Sequence, residues 1–256
     1  LFTPFPLYDT KPGHGGEYND EHDKGAGMTW VLLALILVAI IAGPGVWVKR
    51  VLAKYSKPED RYREQGSGAQ LARHLLDRFG LERVGVEETE GGDHYDPEAR
   101  KVRLTPENFR GHSLTAITVA THEVGHALQH ARGESLFEAR QRLVKASISG
   151  QKLGSVLLIG APVIMLVTRA PSAGLLMALG AFATMGLGTL AHLVTLPVEL
   201  DASFKKALPI LEEGAYLHEG DLPHARKILK AAALTYVAGS LASLLNLGRW
   251  LAVLRR

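Results

Sequence analysis

ATHEVGHALQH, residues 120–130, is the stretch on which the reading of this chain turns. Its centre is His122-Glu123-Val124-Gly125-His126. On a helix, His122 and His126 lie one turn apart on the same face with Glu123 beside them. Two imidazoles so placed grip a zinc ion while the carboxylate reaches its bound water. The surrounding Ala116, Ile117, Val119, Ala120, Val124, Ala127 and Leu128 make the stretch strongly helical and apolar. A helix is therefore expected from about Ser113 through Gln129. Gly125 sits inside it, where glycine costs roughly 1 kcal/mol relative to alanine. A small residue there admits another backbone or a substrate.

Two histidines do not complete a zinc site. His130 continues the row, but it lies eight residues from His122, about 12 Å along the axis. It is read as a packing or surface residue. A third histidine in the H-E-x-x-H-x-x-G-x-x-H pattern is excluded, because Gln129 and Arg132 stand at its glycine and histidine positions. The chain has no cysteine, so any metal is held by His, Asp or Glu. A distant carboxylate is the remaining choice. Glu134 and Glu138 read as solvated charges at the start of the next helix. Glu199, in TLPVELDAS, follows 29 residues without an acid, and an acid in such a place has a partner. Glu199 is the expected third ligand, with Glu138 and His192 as the alternatives.

The rest of the chain supplies the setting. It is 46% hydrophobic and 21% charged over 256 residues, with a net charge of +3. Basic residues sit beside apolar runs and not among aromatics, which argues against a nucleic-acid partner. Met28–Val48 carries no charge over 21 residues, the length of a bilayer-spanning helix. Residues 153–168, 170–198 and 231–248 are further apolar runs. The expected architecture is mainly α, with about four transmembrane or membrane-associated helices and a small β-hairpin or sheet. The expected divisions are a flexible acidic tail over 1–27, a first span over 28–48 and a zinc-binding domain over 49–152. A transmembrane hairpin follows over 153–198, then a cytoplasmic helical segment carrying the third ligand over 199–230, and a fourth membrane or membrane-associated helix over 231–256. The first run lacks a basic segment before it and is long, so it reads as a retained anchor, not a cleaved signal.

Within residues 49–152, Ser67 caps a helix that Gly80 ends. Arg83–Glu88 and Lys101–Leu104 read as strands joined by the turn-rich EGGDHYDPEAR. Five acids and two bases lie between Asp9 and Lys24, whereas Lys49, Arg50, Lys54, Lys57, Arg61 and Arg63 follow the first span. That asymmetry puts the N-terminus outside and residue 49 onward on the cytoplasmic side of the membrane, which is expected to be a bacterial plasma membrane. Glu199 then shares a side with His122.

DHYDP at 93–97, KVRLTPENF, ATHEVGHALQ and LPVELDAS, in that order, resemble the YugP-type family of membrane zinc metallopeptidases over residues 28–254. The pattern is more remotely similar to the gluzincin-like HtpX and prenyl-protease type, whose Glu-x-x-Ala-Asp block supplies the third ligand. Glu199 and Ala202 match that block, while Ser203 stands at its Asp. The resemblance implies a Zn²⁺-dependent endopeptidase acting on membrane or membrane-proximal polypeptides. His122, His126 and Glu199 are then ligands, and Glu123 is the general base. The second donor to the oxyanion is open, with His94, Tyr95 and Tyr216 as candidates by type. For His94 and Tyr95, a turn held by Asp93 and Asp96 is the preferred reading. The strand Lys101–Leu104 is expected to take the substrate as an added strand. The competing class is an inactive zinc-containing scaffold, and an intact Glu123 speaks against it.

The charge asymmetry predicts a labelling pattern in this cysteine-free chain. A cysteine placed within residues 85–95 is expected to be protected from an impermeant thiol reagent in intact cells. One placed near residue 15 is expected to react. The reverse pattern would put the domain outside the cell.

Overall fold

The computed structural model describes the backbone of residues 20–254. Side chains are described except at 20–27, 181–190, 192–193 and 240–254. Helix α1 (Asp20–Tyr55) begins eight residues before the expected span. The backbone of residues 20–27 is helical, and residues 1–19 lie outside the described set. The chain divides into two compact units, residues 1–40 and 41–256. All elements after α1 belong to the second.

Next come α2 (Gly68–Arg78), β1 (Gly85–Glu88), β2 (His94–Asp96), β3 (Lys101–Leu104), the single turn α3 (Pro106–Phe109) and α4 (Leu114–Ala131). Ser67 caps α2 as expected. Its hydroxyl accepts from the Gln70 backbone while the Gln70 side chain accepts from the Ser67 N–H, which satisfies two donors at the helix start. Gly80 then adopts φ +72° just past the helix. The buried face of α2, Leu71, Ala72, Leu75 and Leu76, joins Ile117, Ala120 and Val124 of α4 in one core.

Helix α4 is the hub. Every residue from Leu114 through Gln129 is buried, so its polar side chains are held inside the protein. Gly125 faces the carbonyl of Ala202, and a Cβ there would lie 2.8 Å from that oxygen. The glycine admits another backbone, as its position suggested.

The expected small hairpin or sheet is a three-stranded sheet, whose pairing differs from a simple hairpin of the two strands read from the sequence. Strands β1 and β3 are parallel, with Gly85 opposite Lys101 and Glu88 opposite Leu104. Strand β2 comes from the stretch read as a turn and pairs antiparallel with β3, so the order is β1-β3-β2. The tight turn is Pro97–Arg100. There the Asp96 carboxylate accepts from the backbone of Glu98 and Ala99, and Arg100 takes φ 52°. Asp93 accepts from the Thr105 backbone and hydroxyl and from Asn108, tying the start of β2 to α3. Strand β3 is thus bonded on both edges and has no room for a substrate strand. Strand β2 is the edge nearest the histidines.

Two long helices follow, α5 (Ser135–Thr168) and α6 (Pro171–Asp201), packed along each other as a hairpin. Arg169, at φ 52°, and Pro171 in the first turn of α6 reverse the chain. A π-helical segment, Ala202–Ala207, runs on from α6 into α7 (Leu208–Glu213), and α8 (Leu222–Leu254) completes the chain. Among the described residues two helices are long and apolar enough to cross a membrane, Met28–Tyr55 and Ser135–Thr168. Trp30 and Leu166 on them are 72% and 81% exposed, as side chains meant for lipid would be. Of the four spans expected, only these two meet that length and composition among the described residues. Residues 170–198 contribute the shorter apolar stretch Pro171–Gly180, and much of the third and fourth runs falls on side chains outside the described set.

One polar clamp ties the segment after α1 to the start of α8. Arg61 donates twice to the Asp221 carboxylate, at 2.6 and 3.0 Å, and the buried Tyr62 hydroxyl donates at 2.7 Å. Burial pushes the Asp221 carboxyl up, but the bonds from Arg61 and Tyr62 outweigh it and hold it below its usual value. A depressed folded value means the stabilisation is complete above the unfolded carboxyl's pKa, about 4, and drains as pH falls through the folded one. Asp221→Asn is expected to lower stability by about 1–3 kcal/mol near neutral pH, mostly through Tyr62, since Arg61 is partly solvated. In thermal melts the gap from wild type should close below about pH 4. A gap constant from neutral to acid pH would show that the Asp221 charge contributes nothing.

Candidate metal centre

Helix α4 presents His122 and His126 one turn apart, with ring centroids 4.8 Å from each other. Glu199, near the end of α6, meets them from the opposite side. Its Oε2 lies 3.2 Å from His122 Nε2 and 3.1 Å from His126 Nε2. All three residues are buried, and their donor atoms lie within 4.8 Å of one another. Bonds of about 2.0–2.1 Å in a tetrahedral shell set ligand atoms roughly 3.3 Å apart, so the two carboxylate–imidazole spacings suit zinc.

The outward nitrogens fix which face each ring offers. Gln129 Nε2 donates to the Val198 carbonyl and to Asp201, at 3.0 and 2.8 Å, so its Oε1 is an acceptor. His126 Nδ1–H donates to that oxygen at 2.9 Å. Ser203 donates to the Leu229 carbonyl at 3.1 Å and accepts from His122 Nδ1–H at 3.1 Å. Both imidazoles are thereby held with the Nε2 lone pair toward the cluster, the form a metal requires. Ser203 orients His122 through this hydroxyl relay. Lys206 closes the network behind Gln129, bonding Asp201 at 2.7 Å and Glu134 at 3.0 Å.

Glu123 lines the same cleft as the three donors and is 5% exposed. Burial pushes its carboxyl up to about 8, with His122 opposing and Glu199 adding to the rise. The cleft encloses about 620 Å³. Its walls come from α1 (Leu52), β2 and the turn before it (Gly92, His94), α5 (Phe137, Arg140) and α8 (Tyr236).

The other expected residues divide. His94 borders the cleft, and its Nδ1–H donates to the Gly92 carbonyl at 2.8 Å. Tyr95 also borders it, but its hydroxyl shares a hydrogen bond with His130 at 2.8 Å. That bond places His130 in a packing role, stacked on Phe137. Tyr216 is elsewhere, bonded to His74 and Arg78 of α2. Glu138 pairs with Arg142 on the exposed side of α5. The side chain of His192 lies outside the described set. Two residues of the site are not evident from the sequence: Arg140, since a basic residue ahead of an apolar run reads equally as a topological charge, and Gln129, whose i+3 spacing from His126 is the available signal.

These features define a membrane-associated, mainly helical protein with a His-His-Glu candidate metal centre. The chain belongs to the family described as "Putative neutral zinc metallopeptidase", which matches residues 29–255. It is 35% identical over 235 residues to the "Putative membrane protease YugP" of Bacillus subtilis (strain 168), covering 87% of this chain and 96% of that one. No solved structure matches the chain.

Removing a ligand is expected to weaken metal binding beyond the roughly 10–100-fold typical of losing an orienting partner. Glu199→Ala should release zinc at chelator concentrations that leave wild type loaded, and Glu138→Ala should not. Metal analysis after dialysis reads both. Zinc retained by Glu199→Ala and lost by Glu138→Ala would move the third ligand to the loop after α4.

Proposed function

We propose that the chain is a zinc-dependent endopeptidase that hydrolyses membrane or membrane-proximal polypeptides at the cytoplasmic membrane surface. The observation that carries this reading is the buried set His122, His126 and Glu199 with Glu123 in the same cleft. His122, His126 and Glu199 would hold the ion. Zinc, when bound, lowers the pKa of a coordinated water and polarises the scissile carbonyl. Glu123 accepts the proton of the attacking water and returns it to the leaving amine. Gln129 and Ser203 keep the imidazoles oriented throughout. A site that merely stored metal would have no use for a buried carboxylate at Glu123, which weighs against the scaffold reading.

The substrate is held as an extended strand against the outer edge of β2, since β3 is occupied on both sides. Leu52, Val119, Phe137 and Val144 supply apolar walls to the cleft. Leu52 follows the apolar run 28–48 and Val144 precedes the apolar run 153–168, so a cleft between them receives polypeptide leaving the bilayer. The N-terminus is outside, and the four-span arrangement inferred from the apolar runs completes the topology.

Glu123→Gln removes the proton acceptor without removing a ligand. It is expected to keep zinc in near-stoichiometric amount and to lose peptidase activity by about 10²–10⁴-fold. The assay is cleavage of membrane-protein substrates by the purified full chain with its metal content measured in parallel. Turnover unchanged in Glu123→Gln would overturn the mechanism.

A further inference from the structure

One buried cation in the cleft has no part in the chemistry so far. Arg140, on α5, is 8% exposed and shares the cleft with Glu123. Its NH2 lies 3.2 Å from Glu199 Oε1, the carboxylate oxygen turned away from the histidines. Its guanidinium carbon sits 4.7 Å from the centre of the Tyr236 ring, on α8. Burying a guanidinium is costly unless anions or acceptors surround it. The contact with Glu199 is an ion pair and not an aligned hydrogen bond, for Glu199 Oε1 has no hydrogen-bond partner. The planar fork is therefore fixed in place by charge on one side and an aromatic face on the other. The carboxylate makes no aligned bond with its N–H donors, and Tyr236 engages one side of the fork.

We propose that Arg140 is the residue that binds the oxyanion formed when water adds to the scissile carbonyl. This rests on the peptidase reading above. The group is permanently charged, preorganised and largely removed from water, the conditions under which a donor favours developing negative charge over a neutral carbonyl. The candidates by residue type fit the task less well. The Tyr95 hydroxyl is engaged by His130. His94 spends its Nδ1–H on Gly92, so in its neutral form the other nitrogen only accepts. Tyr216 is absent from the cleft lining. Arg140 also explains why a cation sits beside a metal-binding carboxylate. Glu199 faces the histidines with one oxygen and anchors the guanidinium with the other, so a single acid sets the distance between metal and oxyanion donor.

The test uses Arg140→Met and Arg140→Lys in the full-length, zinc-loaded protein, with a phosphinic peptide as mimic of the tetrahedral intermediate. Zinc content and thermal melting screen for misfolding, and Arg140→Lys keeps the charge if Arg140→Met does not fold. The expected result is full zinc retention, KM close to wild type and kcat lower by about 10²–10³-fold in Arg140→Met, with a smaller loss in Arg140→Lys. Phosphinic peptide affinity should fall in parallel with kcat/KM, while affinity for a cleaved product peptide holds. A phosphinic peptide bound as tightly by Arg140→Met as by wild type would overturn the proposal. So would loss of activity that tracks loss of zinc, which would leave Arg140 as a holder of Glu199. If wild type cleaves nothing, the peptidase reading fails, and phosphinic peptide affinity still decides what Arg140 binds.

Discussion

The contact between Glu199 and the two imidazoles of α4 is the constraint on which the rest of the molecule depends. A buried carboxylate costs several kcal/mol unless charge or strong donors surround it. Glu199 lies at the foot of a long apolar helix, and His122 and His126 lie in the middle of a helix with no exposed face. Neither helix can satisfy its polar groups alone. Brought together they offer one cation three donor atoms, and the join ties the hairpin of α5 and α6 to the domain built around α4. Gly125 sets how close the two can come, since it lies against the backbone just after Glu199.

The π-helical segment follows from the same join. Ser203 must reach His122 and Leu229, while Asp201 must reach Gln129 and Lys206. Inserting a residue into the helical repeat re-aims side chains by part of a turn without ending the helix, and such insertions recur at functional sites. The histidines here lean on an amide and a hydroxyl and not on carboxylates. The negative charge beside the histidines thus comes chiefly from Glu199, since burial pushes the Glu123 carboxyl toward its neutral form, and Arg140 sits against that one charge.

Much of the site was legible because short-range rules carried it. The His122–His126 pair, the capped start of α2, the length of α4 and the apolar reach of α1 and α5 all follow from spacing on one helix or from composition. Glu199 was legible for a different reason: an acid after so long an apolar run needed a partner. The sheet was not legible in the same way. HYD at 94–96 is too short to show alternation, and its strand character comes from pairing with β3 and from the anchors Asp93 and Asp96. Arg140 was hidden because a basic residue ahead of an apolar run also serves as a topological charge. Only its burial beside Glu199 separates it from Arg142, two residues on and exposed.

By itself, then, the sequence determined the chemistry on offer: two imidazoles and a carboxylate on one helix, no thiol, one stranded acid, and helices suited to lipid. Those follow from local geometry and from the cost of burying charge, which hold wherever the segments sit. The tertiary structure alone decided which edge of the sheet is open, which nitrogen of each histidine faces the cluster, and which cation shares the cleft. Each of those depends on contacts between residues far apart in the chain, such as Gln129 with Val198 and Arg140 with Glu199. No periodicity in one segment records where another will pack against it.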